Sequence, residues 1–283
     1  MPDLTAIVAR HNRSQDTLVS AFETNLREIV LRAQGRTIAQ LAKKLAMSDG
    51  AAIAGTPGNM LVLRNAGKMF MQEMDRAGYQ RLLAVFTGEF HQTLPFLQDT
   101  LRYLGDQVGK KWGEELGFTA KDLSLLGAVQ ANSAAMLTSA IEAVAGQAVT
   151  RGLFSVSGLR FGSLVETLTT KIETSIGKAT SIANTAVSVY FRTASDRAFA
   201  IVTKGLPEQV LRYRFSGPKD KLERPWCRAM SLADKSYTRA EIDKMNNGQF
   251  PVGSCFMTVG GMNCRHFFCL STDDLEVSSV QSA

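Results

Sequence analysis

Apolar residues at Leu18, Phe22, Leu26, Val30, Ile38, Leu41 and Leu45 recur mostly at intervals of three or four, the period of one helix face. The stretch from Asp16 to Leu45 is therefore predicted as one long helix, with Arg27, Glu28, Arg32, Arg36, Lys43 and Lys44 on its solvated side. Ser48-Asp49-Gly50 and Gly55-Thr56-Pro57-Gly58 interrupt the pattern and predict a loop. A second helical stretch follows from about Asn59 to Arg76, and a third from Gly78 to Leu104 with a kink or break at Pro95. Met60, Met69, Met71 and Met74 sit at helical spacing in the second, where adaptable core packing is their expected role.

Thr119 and Asp122 match a capping box, and the apolar positions Leu126, Val129, Met136, Leu137, Ile141 and Val144 beyond them predict another long helix. Residues 123–141 carry no charge and reach the length of a membrane span. Gln130, Asn132, Ser133, Thr138 and Ser139 are costly in hydrocarbon, so a buried helix of a bundle is expected instead. A further helical region is expected from Leu164 to about Val202, with interruptions, its many Thr and Ser residues needing packing support.

Helical periodicity stops at Gly205-Leu206-Pro207, and Pro, Gly and aromatic residues then become frequent. Strands are expected at Leu211 to Phe215 and around Phe250 to Val259, with a short helix between them. That helix opens on a second capping box, Thr238 with Glu241, and stops at Asn246-Asn247-Gly248. The expected fold class is mainly α: a long-helix N-terminal region (1–205), a small α+β C-terminal module (206–270), and a flexible acidic tail (271–283).

With 45% hydrophobic and 20% charged residues the chain has the composition of an ordinary globular protein. Its net charge of +6 is uneven, because residues 204–239 hold nine Lys/Arg against four Asp/Glu. Lys204, Arg212, Arg214, Lys219, Lys221 and Arg228 form a candidate patch for DNA or an acidic partner, or else a solvated basic face. The N-terminus lacks the apolar core of a signal peptide, so synthesis and folding in the cytoplasm are expected. Four cysteines crowded into the last quarter do not make a secreted disulfide framework.

Cys227, Cys264 and His266 supply two thiolates and an imidazole, three of the four groups of a tetrahedral zinc site. Cys255 and Cys269 are the candidates for the fourth, although Cys269 lies in an apolar run that reads as core. A Cys227–Cys264 crosslink and free, packed thiols stay open beside zinc. A Cys/His nucleophile lacks a visible third partner, and no phosphate loop, nucleophile elbow or zinc-protease motif is present, so no catalytic residue is assigned. His11 and His91 stand alone and read as surface or satisfied histidines.

Phe215-Ser216-Gly217-Pro218 with Asp220, Glu223-Arg224-Pro225-Trp226-Cys227, Ser236 to Ile242, Asn246 to Gln249, and Gly260-Gly261-Met262-Asn263-Cys264-Arg265-His266 occur in one order. That order resembles the C-terminal domain of the phage Mu F-like minor head proteins, also called head morphogenesis proteins, over about 60 residues. The resemblance implies a non-enzymatic virion structural protein of a tailed phage, in few copies, at the portal or head interior, acting in capsid assembly or DNA packaging. Portal or other head proteins and further copies of the chain are the implied partners. The second function it leaves open is an internal ejection protein that leaves with the genome and contacts DNA or membrane. Interchange of Cys and His in that family at the positions of Cys227 and His266 implies a zinc or zinc-derived site. Some relatives would place a fourth cysteine where this chain has Arg224. Asp220, Arg224, Asn263 and Arg265 are expected to tie the turns together through charge-assisted hydrogen bonds.

Overall fold

The computed structural model describes residues 4–48, 52–154, 160–207, 210–221, 223–249 and 255–272, with only the backbone described at 144–154, 171, 172 and 175. The architecture is mainly α, with short strands in the C-terminal part. Helix α1 (Leu4–Lys44) is followed by a two-residue hairpin, β1 (Met47–Ser48) and β2 (Ala52–Ile53). Then come α2 (Pro57–Arg64), α3 (Ala66–Arg76), α4 (Tyr79–Gly88), a 3-10 turn (Glu89–Thr93) and α5 (Leu94–Gln107). Two long helices, α6 (Ala120–Phe154) and α7 (Phe161–Val202), lead to the C-terminal elements β3 (Tyr213–Ser216), α8 (Pro225–Ala233), β4 (Ser236–Tyr237), α9 (Arg239–Asp243), α10 (Cys255–Thr258) and β5 (Phe267–Leu270).

The chain forms two compact units. One comprises Met1–Leu18, Gly88–Asn132 and Asn184–Ala283, the other Val19–Thr87 and Ser133–Ala183. Residues 206–270 thus share a unit with the start of α1, with α5 and with the second half of α7, and the chain does not divide at 205. In the second unit Leu41, Leu45, Leu63, Ala66, Met69, Leu164 and Leu168 make one core cluster, and the rings of Phe22 and Phe86 lie 4.3 Å apart. Met69 and Met74 are core residues, whereas Met60 and Met71 are half-buried.

Helix α1 begins twelve residues before the expected Asp16. Its buried face continues through Ile7, Val8, His11, Asn12 and Gln15, and three of these five are polar, which hides the period from a hydrophobicity count. The stretch expected as one helix over 59–76 divides at Asn65, which sits in the bridge region (φ −88°, ψ −4°). Pro95 lies in the first turn of α5, directly after the 3-10 turn, where a missing N–H costs nothing.

Helix α7 runs for 42 residues without the expected interruptions. Thr169, Thr174, Thr180, Thr193 and Ser195 donate their hydroxyls to carbonyls four residues back, so they are satisfied inside the helix. The uncharged run in α6 buries Leu126, Leu137 and Ile141 but leaves Leu123 and Met136 more than half exposed, so only one side is covered. No helix among the described residues is long and apolar enough to cross a membrane.

In the C-terminal part β3 is the middle strand of an antiparallel sheet ordered β4-β3-β5. Tyr213 pairs with Leu270 and Ser216 with Phe267 in one register, and Tyr213 pairs with Tyr237 in the other. The strand expected around 250–259 is corrected: Cys255–Thr258 is a helical turn closed by Val259 donating to the Cys255 carbonyl, while 250–254 lie outside the described residues. Two strands of the sheet are not expected from the sequence: β4 is only two residues long, and the four residues of β5 are all buried, so no alternation betrays it. Both capping boxes are formed, Thr119 with Asp122 and Thr238 with Glu241. Most of the acidic tail (273–283) lies outside the described residues.

Candidate metal centre

Three local devices bring Cys227, Cys264 and His266 together. Pro225 starts α8 at its first helical position, which puts Cys227 in the first turn with its side chain buried. The turn from Val259 to Cys264 folds back through left-handed residues at Val259 (φ 49°), Gly261 (φ 97°) and Asn263 (φ 62°). Gly260 makes room for the sulfurs, since a Cβ there would stand 2.1 Å from Cys227 Sγ and 3.0 Å from Cys264 Sγ. His266 then precedes β5, stacked on Phe215 at 4.7 Å and covered by Gly217, where a Cβ would meet the imidazole at 2.3 Å.

The resulting cluster is buried, and its three candidate ligand atoms lie within 4.8 Å of one another. Cys227 Sγ and Cys264 Sγ are 3.6 Å apart, and Cys264 Sγ is 3.7 Å from His266 Nδ1. Zinc bonded tetrahedrally to two thiolates and an imidazole requires separations of about 3.8 Å and about 3.6 Å, so the two separations at Cys264 fit such an ion, and the third pair lies within 4.8 Å. The far nitrogen of the ring, Nε2, lies 3.2 Å from Glu223 Oε1, and Ser231 Oγ donates to the same oxygen at 2.9 Å. A proton on Nε2 shared with Glu223 leaves the Nδ1 lone pair facing the sulfurs, the arrangement that orients a ligating histidine.

Electrostatics favour one thiolate in the pair. The Cys227 hydrogen bond, then His266 and Arg192, lower the Cys264 thiol against desolvation, which makes it the more acidic of the pair. The same hydrogen bond and burial push Cys227 up. Arg192 is the unexpected member: a fully buried guanidinium on α7 that donates from Nε to the His266 carbonyl and from Nη1 to the Met257 carbonyl, each at 2.9 Å. Its Nη2 donates to the carbonyl of Cys264. One side chain thus holds the main chain on both sides of the cluster, and the thiolate supplies the negative charge that a buried cation needs.

The remaining expected residues divide clearly. Arg265 donates to Asp220 at 2.6 Å and lies 3.8 Å from Asp16. Arg224 donates to the Gly260 carbonyl at 3.2 Å, closing the wall above Cys227. Asn263 contributes through its backbone, by its left-handed conformation and by its N–H donated to Thr185 Oγ1 at 2.8 Å. Cys255 and Cys269 do not join the cluster: Cys255 Sγ donates to the Met245 carbonyl, and Cys269 lies on β5, where burial pushes its thiol up to about 12. Of the basic residues, Lys204, Arg214, Lys219, Lys221 and Arg228 are exposed, while Arg212 is half-buried and paired with Glu241 at 3.2 Å. His11 is buried, stacked on Phe191 at 3.9 Å, and burial, then Arg192, lower it to about 3.

Glu223 supplies the oriented third partner that sequence reading of the Cys/His pair lacked. Nucleophilic attack still needs a substrate carbonyl at the sulfur, and Cys264, 4% exposed, lies beneath Cys227 and Gly260. The geometry suits holding an ion or a proton. Neither Arg192 nor Glu223 carries a local signal, because they approach His266 from 74 and 43 residues away. Comparison with family models, curated proteins and solved structures finds no match.

Proposed function

We propose that the chain is a virion structural protein of a tailed phage, a minor head or head morphogenesis protein at the portal or head interior. In this reading the C-terminal module is a rigid docking element, and the protein catalyses no turnover. The observation that carries it is the clip itself. Two of the motifs that resemble the Mu F-like domain, Glu223 to Cys227 and Gly260 to His266, supply the cluster of Cys227, Cys264 and His266, and Arg192 ties it to α7. Arg192 and Arg224 hold main-chain carbonyls around the cluster and Glu223 holds the His266 ring, so the module is fixed as a docking element requires.

Zinc is the ion proposed for the cluster. Cys227, Cys264 and Nδ1 of His266 would hold it, with Glu223 orienting the ring, and the ion would supply structural cross-linking. The strands of the module are only two to four residues long, so a cross-link between α8, the 259–264 turn and the start of β5 would add stability.

Mass spectrometry of purified virions tests the reading, followed by imaging of the polypeptide's place in the particle. Presence at the portal or inner head supports it, and absence from virions overturns it. Exposed Lys204, Lys219, Lys221 and Arg228 favour the second reading, an internal ejection protein in contact with DNA. An ejected protein disappears from ghosts after genome release, whereas a structural one stays.

A further inference from the structure

Helix α6 lacks the charged outer face that a surface helix carries. Between Asp122 and Glu142 it holds no Asp, Glu, Lys or Arg, while Leu126, Ser133, Leu137 and Ile141 fill its buried side. Across the same helix Leu125, Ala128, Asn132, Ala135 and Met136 recur at helical spacing on one face, and all five are exposed. Leu125 is 40% exposed and Met136 53%. Single exposed apolar residues are ordinary, but these two share a face that stays uncharged along the helix. One unbroken helix carries the whole face, so its geometry follows from the helix alone.

The order of residues along that face decides what covers it. Lys121 stands at one end of the uncharged run and Glu142 at the other, both exposed, about 32 Å apart at 1.5 Å per residue. Turned end for end about a two-fold axis between Ala131 and Asn132, the face matches itself. Lys121 then meets Glu142 of the partner subunit, and Glu142 meets the partner subunit's Lys121. Ala128 lies against the partner's Ala135, small on small, which lets the two backbones approach closely. Leu125 reaches the partner's Met136 on the same flank. The two Asn132 carboxamides, each a donor and an acceptor, face one another beside the axis. A parallel pairing would set Lys121 on Lys121 and Glu142 on Glu142, and a lipid surface offers no counterpart to opposite charges at the two ends.

We infer that this face of α6 is the contact between two copies of the chain, packed antiparallel. A strip about 32 Å long and about 10 Å wide buries on the order of 700 Å² in total, less than a standard interface, so the dimer is weak and forms as concentration rises. The inference does not rest on the virion reading, which is tested on particles, whereas this one is tested on the purified chain.

Sedimentation equilibrium of the full chain over about 5–500 μM is the test. The mass is expected to climb from 30.8 kDa toward twice that value. Ala128→Glu/Ala135→Glu sets four carboxylates along the seam and should weaken the dimer at least tenfold. Lys121→Glu should weaken it about fivefold, and adding Glu142→Lys should restore it. All of these positions are exposed, so the variants are expected to fold, which far-UV circular dichroism verifies. A short bismaleimide reads the register, with the parent, whose four cysteines are buried, as control. Asn132→Cys should be captured as a covalent dimer, and Lys121→Cys should not, because its two copies lie at opposite ends of the seam. Four results would overturn the proposal: a chain that stays monomeric over the whole range, an Ala128→Glu/Ala135→Glu variant that associates like the parent, capture of Lys121→Cys in preference to Asn132→Cys, or phosphatidylcholine vesicles that bind the parent but not the double variant.

Discussion

Arg192 donates its Nε–H to the carbonyl of His266 at 2.9 Å from 74 residues upstream, so a helix fixes the main chain at the position of a candidate metal ligand. Two further bonds to Met257 and Cys264 give the guanidinium three acceptors in fixed directions. A planar fork makes such a pattern, whereas the single ammonium of lysine does not.

Arg192→Met is therefore expected to lose about 3–5 kcal/mol of stability, since three buried carbonyls and a thiolate are left without their partner. Arg192→Lys should recover less than half of that loss. Urea unfolding of the three proteins checks it, and a Lys variant as stable as the parent would show that charge alone suffices.

Gly260→Ala places a methyl group 2.1 Å from Cys227 Sγ, so the sulfurs must separate. A destabilisation of about 2 kcal/mol or more is expected, with loss of bound metal. Gly177→Ala is the contrasting case on α7, where nothing lies within 4 Å of the added carbon. It should gain about 0.5–1 kcal/mol, because glycine weakens a helix interior.

His11 gives the fold an acid limit. Burial, then Arg192, lower it from the ordinary 6.5 to about 3. Below 6.5 the unfolded chain takes up a proton that the folded one refuses, so stability is complete above that pH and is lost as pH falls toward about 3. The slope reaches at most about 1.4 kcal/mol per pH unit. His11→Phe keeps a ring against Phe191 and removes the titration. Unfolding midpoints at pH 7 and pH 5 should differ less in the variant than in the parent, and equal differences would contradict the assignment.

Oxidation distinguishes the cysteines. In metal-free protein Cys227 and Cys264, 3.6 Å apart, should form a disulfide on treatment with hydrogen peroxide. Two thiols lose two hydrogens and peroxide is reduced to water, a mass loss of about 2 Da that peptide mapping assigns to this pair. Zinc should suppress the reaction, and Cys269, sealed on β5, should stay reduced.

What the sequence discloses is what nearby residues decide. The two capping boxes were legible because hydroxyl and carboxylate stand three residues apart and satisfy one another locally. The trio of Cys227, Cys264 and His266 was legible by ligand type, and the Asp220–Arg265 link by charge. The first three turns of α1 were hidden because His11, Asn12 and Gln15 occupy buried positions that a hydrophobic pattern scores as surface. Strand β5 was hidden by burial of all four residues, and the Cys255 turn by an apolar composition that suits strand as well as helix. Glu223 and Arg192 reach the cluster through the fold alone, and no spacing rule points to them.

The central claim is that Cys227, Cys264 and His266 hold a zinc ion that clips the module together. Metal analysis of the freshly reduced, full-length protein tests it most directly. About one zinc per chain is expected, lost in Cys227→Ser, Cys264→Ser and His266→Ala, and bound about 10–100-fold more weakly in Glu223→Gln. Less than about 0.2 zinc per chain in a folded sample would contradict it.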